Sequence, residues 1–331
     1  MINKKKIFFY SFIILINYLL LTAIIFSFSY ISLIKGKTYD WFWVKSVQKK
    51  IYFRGYRNIF HFSEDCINFD KYLLYKPKSG ICEFSNVEFN TSLTFDEFIR
   101  KHDSKIKDKI RNDYVVVLGD SIAMGWGVND NETFSYYLEN LLKKRVFNMG
   151  VSSYGTTREI KKFKNSPYYN DQSTIVIQYH RNDIYENREL NINKIYSKEE
   201  FNSIFDYKKK NPTNIKFILR NYKSSIRLFF SDIFDIIFKE QNIELMNFND
   251  DKKYLEELIK KNFDLTKNRL IVIIPLLPWQ KAINIPQNNE IEYLFIKLKK
   301  KHYFTIDDHP NAIGHKEIAK KIYDYLNENQ N

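Results

Sequence analysis

Apolar residues form one continuous run near the start of the chain. Residues Ile7 to Ile34 contain no charged side chain, and Lys4-Lys5-Lys6 precede them. A helix of this length would reach about 42 Å, more than the ~30 Å hydrocarbon core of a bilayer. The run is too long for an ordinary signal-peptide core, and no Ala-x-Ala cleavage pattern ends it. The pattern predicts an N-terminal tail and an uncleaved transmembrane signal anchor within residues 1–37.

A different pattern begins near residue 112, where short apolar, β-branched runs alternate with amphipathic stretches. Strands are predicted at Tyr114–Leu118, Val146–Met149, Thr174–Tyr179 and Arg269–Ile274. Helices are predicted near 133–144, from about 158, and at the end of the chain over 311–327. Strands and helices that alternate with short connections favour a parallel sheet covered on both faces. The sequence therefore predicts a three-layer α/β/α domain over residues 112–331.

Two segments depart from this alternation. Residues 38–111 begin with a basic, aromatic stretch and continue with turn signals and alternating polarity, which predict a linker and a small β-rich subdomain. Residues 188–265 are polar and are predicted to be a helical insertion, with apolar residues at helical spacing over 215–239. Packing of that apolar stripe onto the domain is the preferred interpretation. A lid, or a second surface that touches the bilayer, stays open.

Charge content bears on the class of partner, and cysteine content bears on the redox compartment. The chain of 331 residues has a net charge of +13, but its lysines are spread along the sequence and no nucleic-acid-binding module is recognisable, so no nucleic-acid partner is expected. Cys66 and Cys82 are the only cysteines. A bridge between them would stabilise the fold by roughly 3 kcal/mol in an oxidising compartment. The alternative, which the sequence supports equally, is that the two thiols are unpaired.

Groups that can carry out nucleophilic catalysis lie at both ends of the α/β pattern. Gly119-Asp120-Ser121 follows the first strand, and Asp307-Asp308-His309 lies near the end of the chain. An alcohol needs a neighbouring base to attack, and an imidazole oriented by a carboxylate supplies one. Ser121 is the candidate nucleophile, His309 the base and acid, and Asp307 the orienting acid. Taken singly, each motif also has a structural explanation as a helix cap or a turn.

Further blocks in the same order resemble the SGNH (GDSL-type) hydrolase family over roughly residues 112–327. These blocks are Gly125-Trp126-Gly127-Val128, Asn148-Met149-Gly150-Val151-Ser152 and His180-Arg181-Asn182-Asp183. The resemblance implies a flavodoxin-like sheet topology. It also implies an oxyanion site formed by the backbone N–H groups of Ser121 and Ser153 and by the Asn182 side chain. The chain departs from the family at Ser153 and His180, where the family commonly has glycine.

The resemblance implies a membrane-anchored serine esterase that cleaves O-acyl esters, including O-acetyl esters, of an envelope glycan or lipid. The catalytic domain is expected on the extracytoplasmic side of a bacterial inner membrane. Two alternatives stay open: an O-acyltransferase that passes the acyl group to a polysaccharide hydroxyl, and an inactive tethered binding protein. No cofactor is expected, and the spacing of His180, His302 and His315 predicts no metal site. The sequence leaves the oligomeric state open.

Overall fold

The computed structural model describes residues 4–106, 114–169, 174–181, 183–189, 194–205, 213–238, 244–247, 249–283 and 290–328. The helices are α1 (Lys4–Ile34), α2 (Phe42–Ile51), α3 (Ser121–Met124), α4 (Phe134–Leu142), α5 (Thr156–Lys164), α6 (Asp183–Glu189), α7 (Lys198–Ser203), α8 (Ile215–Phe238), α9 (Asn249–Asn262) and α10 (Ala312–Glu328). The strands are β1 (Ile67–Asp70), β2 (Leu74–Pro77), β3 (Gly80–Asn86), β4 (Phe89–Phe95), β5 (Tyr114–Gly119), β6 (Arg145–Asn148), β7 (Thr174–Gln178), β8 (Glu244–Asn247), β9 (Arg269–Leu276), β10 (Gln280–Ile283) and β11 (Glu292–Lys297).

The central sheet has five parallel strands in the order β6-β5-β7-β9-β11. Counted along the chain within this sheet, the order is 2-1-3-4-5, which is the flavodoxin-like arrangement. In such a sheet the chain winds first to one side of β5 and then to the other, leaving a crevice at the carboxyl ends of β5 and β7. The predicted parallel sheet is confirmed, and the sheet gains β11, a strand that the sequence pattern did not indicate.

Side chains alternate between the two faces of the sheet, and helices cover both. On β5, Val116 and Leu118 pack with α5 and α9, whereas Val115 and Val117 pack with α4 and α10. All four valine and leucine side chains are buried. In a strand buried on both faces, apolar and polar residues do not alternate. These strands therefore occur in the sequence as short continuous apolar runs. The predicted three-layer arrangement is confirmed.

Two antiparallel hairpins, β1-β2 and β3-β4, lie in the region that precedes the central sheet. A disulfide joins Cys66 to Cys82, so the question left open by the sequence is settled in favour of the bridge. The hairpins share an apolar cluster with Trp126, Val151 and Tyr154, which lie in the loops after β5 and β6. The small β region is therefore packed against the carboxyl edge of the sheet.

The N-terminal helix α1 is long and apolar enough over Lys5–Ile34 to span a membrane. Its second half packs against α2 and α8, with Phe26, Leu33 and Phe229 buried in the shared cluster. In the described part of α8, Tyr222 packs against α1 and Phe229 packs against α2, whereas the side chains after Phe229 lie outside the described residues. Within the insertion predicted to be helical, β8 forms a parallel pair with β10, and other parts of that insertion lie outside the described residues.

One buried histidine gives the fold a defined pH dependence. The His315 ring is fully buried, its Nδ1 accepts a hydrogen bond from the backbone N–H of Phe134 (3.1 Å), and burial, helped by the nearby Arg100 and His309 side chains, lowers its pKa to about 3. Between pH 6.5 and 3 the unfolded chain binds a proton here that the native protein excludes. We therefore expect this group to lower the free energy of unfolding by up to ~1.4 kcal/mol for each pH unit below 6.5.

The measurement is denaturant unfolding of the full chain in detergent between pH 5 and 7, for wild type and His315→Asn. The asparagine Oδ1 occupies the place of Nδ1 and can accept the same backbone hydrogen bond, but it does not titrate in this range. The variant is expected to lose stability less steeply than wild type as the pH falls. Identical slopes for the two proteins would contradict the assignment of a neutral, proton-excluding His315.

Candidate active site

Ser121 lies directly after the carboxyl end of β5, at the crevice where the sheet order reverses. Gly119 has φ +150°, and a Cβ there would lie 2.6 Å from the Ala123 Cβ, so the tight strand-to-helix turn requires glycine. The Gln178 Oε1 at the end of β7 accepts hydrogen bonds from the backbone N–H groups of Asp120 (3.2 Å) and Ala123 (3.0 Å). The Asp120 carboxylate caps α3 by accepting from the N–H of Ile122 (2.9 Å). These contacts fix the backbone that presents the serine.

The structure brings Ser121, His309 and Asp307 together in one hydrogen-bonded chain. The Ser121 Oγ lies 2.7 Å from His309 Nε2, and His309 Nδ1 lies 2.5 Å from Asp307 Oδ1. Because a carboxylate accepts at Nδ1, the neutral imidazole carries its proton there, and Nε2 is left to accept from the serine hydroxyl. This is the arrangement in which a histidine can act as a base toward an alcohol.

The second carboxylate oxygen of Asp307 receives three further contacts. Tyr52 OH donates at 2.6 Å, Trp126 Nε1 donates at 3.3 Å, and Arg57 Nε lies at 3.4 Å. Burial on its own would raise the pKa of Asp307, but the charge and hydrogen bond of His309, with Arg57 and Tyr52, hold that pKa well below its usual range. Asp307 is therefore a fully buried carboxylate next to His309 whose lowered pKa favours its ionised form.

A single glutamate holds the loop that carries both Asp307 and His309. The Glu88 carboxylate accepts from three consecutive backbone N–H groups, those of Thr305 (2.8 Å), Ile306 (3.0 Å) and Asp307 (2.9 Å). Charge-assisted bonds to a carboxylate are stronger than neutral ones. Glu88 lies in the turn between β3 and β4, so the small β region sets the position of the loop that carries Asp307 and His309.

An aromatic ring and a guanidinium form one wall of the histidine site. The Trp126 indole stacks on the His309 imidazole with 4.7 Å between ring centroids and a 16° angle between planes. The Arg57 guanidinium lies over Trp126 at 4.7 Å and over Phe53 at 4.8 Å. The stack limits rotation of the imidazole, so its Nε2 stays directed at Ser121.

Two of the three predicted oxyanion donors, the backbone N–H groups of Ser121 and Ser153, lie among the described residues. Ser121 is the first residue of α3, so its N–H has no acceptor within the helix. Ser153 has φ +64°, the left-handed conformation that glycine adopts at little cost, and its N–H has no hydrogen-bond acceptor among the described residues. The serine thus keeps the backbone shape expected of the glycine it replaces. Asn182, the third predicted donor, lies outside the described residues.

The other acids and histidines singled out by sequence have structural partners. Asp183 accepts from the backbone N–H of His180 (3.1 Å), and Asp308 pairs with Lys49 (2.6 Å) rather than with His309. His302 Nδ1 accepts from the N–H of Lys299 (3.2 Å). Within the described ranges, no three His, Cys, Asp or Glu side chains are grouped as metal ligands.

Sequence reasoning missed four residues that shape the site: Tyr52, Arg57, Glu88 and Trp126. Trp126 lies in a block that was noted only for its resemblance, and no role was inferred for it. Tyr52, Arg57 and Glu88 lie more than 200 residues before Asp307, in a segment interpreted as a linker and a small subdomain. Residue spacing within a short stretch of sequence cannot reveal contacts between residues that are more than 200 positions apart. The available signal was a cluster of polar and aromatic residues in a segment with no assigned function.

Comparisons with known proteins give only weak similarity. No protein-family model matches the sequence, and no curated protein matches it significantly. Among solved structures, a lipolytic protein of the G-D-S-L family from Desulfitobacterium hafniense DCB-2 is 11% identical, with a TM-score of 0.31 over 64% of this chain and 98% of that one. A carbohydrate esterase with divergent catalytic and non-catalytic binding functions is 12% identical, with a TM-score of 0.32 over 67% and 66%.

A third similar structure is a Corynascus thermopiles (Myceliophthora fergusii) carbohydrate esterase family 2 enzyme with a carbohydrate-binding domain. It is 12% identical, with a TM-score of 0.28 over 69% of this chain and 68% of that one. Similarity at this level carries no functional weight. The function of this chain must therefore be inferred from the geometry of its own site.

The contact between Tyr52 and Asp307 yields a first prediction for the site. Tyr52→Phe removes a donor to the buried carboxylate while keeping the ring. We expect kcat toward an ester substrate to fall about 5- to 20-fold with little change in KM, since a hydrogen bond to a charged group is worth ~1–2 kcal/mol.

The matched control is Tyr56→Phe, which removes a hydroxyl from the same π-helical turn (Tyr52–Tyr56) but from a ring that packs on Tyr30 instead. That variant should keep the wild-type kcat. Equal losses in the two variants, or a Tyr52→Phe defect confined to KM, would contradict the assigned role of Tyr52.

The left-handed backbone at Ser153 yields a second prediction. Ser153→Gly keeps the N–H donor and relieves the strain of a side chain in this conformation, so we expect kcat within about 2-fold of wild type and unchanged or slightly higher stability. Steady-state kinetics and thermal unfolding of the two proteins would measure both. A 10-fold or larger loss of kcat would show that the Ser153 hydroxyl, and not its backbone, is required.

Proposed function

We propose that this chain is a membrane-anchored serine ester hydrolase of the SGNH type, acting on O-acyl esters, including O-acetyl esters, of an envelope glycan or lipid. The observation that carries the proposal is the hydrogen-bonded chain from Ser121 Oγ through His309 to Asp307, with links of 2.7 and 2.5 Å. Residues near both ends of the α/β region converge on it at the switch point of the sheet. If each motif served only as a helix cap or a turn, Ser121, His309 and Asp307 would have no reason to meet at one point.

In the first step the Ser121 Oγ bonds to the carbonyl carbon of the ester. His309 Nε2 takes the hydroxyl proton, and the imidazolium that forms is stabilised by the buried Asp307 carboxylate. The carbonyl oxygen becomes an oxyanion, which the N–H groups of Ser121 and Ser153 and the Asn182 side chain are proposed to meet. A donor fixed in place is worth about 3 kcal/mol in such a transition state.

Collapse of the tetrahedral intermediate breaks the bond to the alcohol, and His309 returns the proton to the departing oxygen. The product is an acyl-enzyme on Ser121. A water molecule then gives its proton to His309 and attacks the acyl carbon, and the reverse transfer frees Ser121. The cycle uses only side chains and backbone of this chain and needs no cofactor.

The envelope location is supported by two observations on the N-terminal part of the chain. The apolar helix α1 has the length needed to span a bilayer, and the Cys66–Cys82 disulfide is of a kind that persists in oxidising compartments. Lysines lie on both sides of α1, so their count does not decide the orientation. We propose an extracytoplasmic catalytic domain on the basis of the disulfide, and the bacterial inner membrane follows only from the family resemblance.

The exposed rim beside His309 suits a bulky glycan or lipid substrate. Trp279 and Phe53 are 47% and 40% exposed, and the Lys49 ammonium lies over both rings at 5.4 and 5.9 Å. Lys49 also pairs with Asp308, the neighbour of the catalytic histidine. The rim therefore offers flat apolar area and positive charge close to the reacting atoms.

Turnover of a short-chain aryl ester by the full chain in detergent tests the proposal. Ser121→Ala is expected to lower kcat by about 10⁶-fold, because it removes the attacking atom. Ser203→Ala, at an exposed serine of α7, is the matched control and should keep full activity. A folded wild type without turnover would favour the tethered binding protein.

Hydrolysis and transfer are separated by adding an acetyl donor and an oligosaccharide acceptor. Free acetate as the main product is expected for the hydrolase. Acetylated oligosaccharide as the main product would replace the hydrolase assignment by the acyltransferase, with the same acyl-enzyme.

A further inference from the structure

Helix α8 is attached to the apolar helix α1 by contacts that the proposed ester chemistry does not use. Tyr18 OH on α1 donates to the carbonyl of Ile226 (2.7 Å), and Tyr222 OH on α8 donates to the carbonyl of Leu19 (3.2 Å). The Tyr222 ring also contacts Phe26, with 5.4 Å between centroids. These contacts fall on residues 18–26 of α1, in its second half.

The described first part of α8 has one packed side and one apolar line that continues onto α1. Asn221, Ser225 and Phe229 are buried, at a spacing of four residues that places them on one face. Ile215 and Leu219 are 68% and 58% exposed, and the same line continues through Tyr222 and Ile226, which contact α1. The exposed apolar line of α8 is thus continuous with the exposed apolar surface of α1.

A basic stripe runs along the side of α8 opposite its packed face. It consists of Lys216, Arg220, Lys223 and Arg227, all exposed and spaced by four, three and four residues. At 100° per residue these positions fall within about 60° of one another. Within the part of the chain that the structure describes, none of the four has an acidic partner. Among the described residues the stripe is a row of positive charge without an acidic partner.

A nearby arginine adds positive charge to the basic stripe instead of neutralising it. Arg54, next to α2, donates to Asn221 Oδ1 (3.0 Å), and burial together with the positive charge of Arg220 lowers the pKa of Arg54. Like charges that repel one another at a surface favour an anionic counter-surface.

Aromatic residues mark the level at which α1 would leave a bilayer. Tyr39 and Trp41, in the loop after α1, pack on Phe28 with 5.2 and 5.7 Å between centroids, and Trp41 is 62% exposed. Trp and Tyr favour the headgroup zone of membranes. The exposed apolar stretch of α1 from Ile7 to Leu21 spans about 22 Å, the greater part of a ~30 Å hydrocarbon core. The contacts with α8, at Tyr18, Leu19 and Phe26, lie near the end of this stretch, about 15, 14 and 3 Å from the level of Phe28.

We propose that α8 is an interfacial membrane helix whose basic stripe binds the anionic phosphate headgroups of the leaflet from which α1 emerges. Its apolar line lies against the outermost acyl chains, and its cations lie at headgroup depth, as in amphipathic helices that bind membrane surfaces. The inference rests on the proposed membrane anchoring of α1 but not on the ester chemistry. The proposed partner of the exposed face of α8 is a lipid surface.

The experiment uses the full chain in nanodiscs of phosphatidylcholine alone and of phosphatidylcholine with about 30% phosphatidylglycerol. Hydrogen exchange of backbone amides in residues 215–229 is read by mass spectrometry. We expect exchange to be at least about 5-fold slower with the anionic lipid. The variant K216Q/R220Q/K223Q/R227Q should lose this difference, while aryl ester turnover, measured on the same samples, stays at the wild-type level.

The matched control is K297Q/K316Q/K320Q/K321Q, which removes the same charge from exposed positions on β11 and α10 and should keep the lipid-dependent protection. Equal exchange of wild type in the two nanodiscs would overturn the proposal. Protection by a soluble anionic polysaccharide added to phosphatidylcholine discs, without protection by phosphatidylglycerol, would also overturn it. Failure of the chain to enter nanodiscs would overturn the anchoring itself, whereas loss of ester turnover alone would concern only the active site.

Discussion

The buried carboxylate of Asp307 is the group on which the rest of the site depends. A fully buried charge is costly unless it is paired and hydrogen-bonded, and here it is met by His309 on one oxygen and by Tyr52, Trp126 and Arg57 around the other. The same contacts that make the charge tolerable also fix the histidine beside Ser121. The contacts that stabilise this loop are therefore the same contacts that orient the proposed base.

That requirement makes the part of the chain that follows the apolar helix α1 a component of the site. Tyr52 and Arg57 follow α2 directly, and α2 packs against α1 through Gln48, whose side chain donates to the Ser32 hydroxyl at 2.8 Å. Glu88 fixes the loop from the side of the β hairpins. Apart from Trp126, the groups that hold the proposed acid and base thus come from the segment between the apolar helix and the central sheet.

The sequence predicted the features that are encoded locally and missed those that depend on long-range packing. Apolar runs on strands buried on both faces, and the Gly119-Asp120-Ser121 turn after β5, are visible in short windows, and the sheet and the position of Ser121 followed from them. The proximity of Asp307 and His309 was also local, because they are two residues apart. Tyr52, Arg57 and Glu88 reach Asp307 only through the tertiary fold. The role of α8 was left open because an amphipathic stripe does not specify what it packs against.

The most direct test of the central claim is the site of covalent modification by a fluorophosphonate on the full chain in detergent. Such a probe reacts with a serine whose hydroxyl is activated by a neighbouring base. Peptide mass spectrometry is expected to place a single adduct on Ser121, formed in wild type and absent from a folded Asp307→Asn variant, in which the histidine is no longer held by a charge. An adduct on another residue, or equal labelling of wild type and the Asp307→Asn variant, would contradict the account.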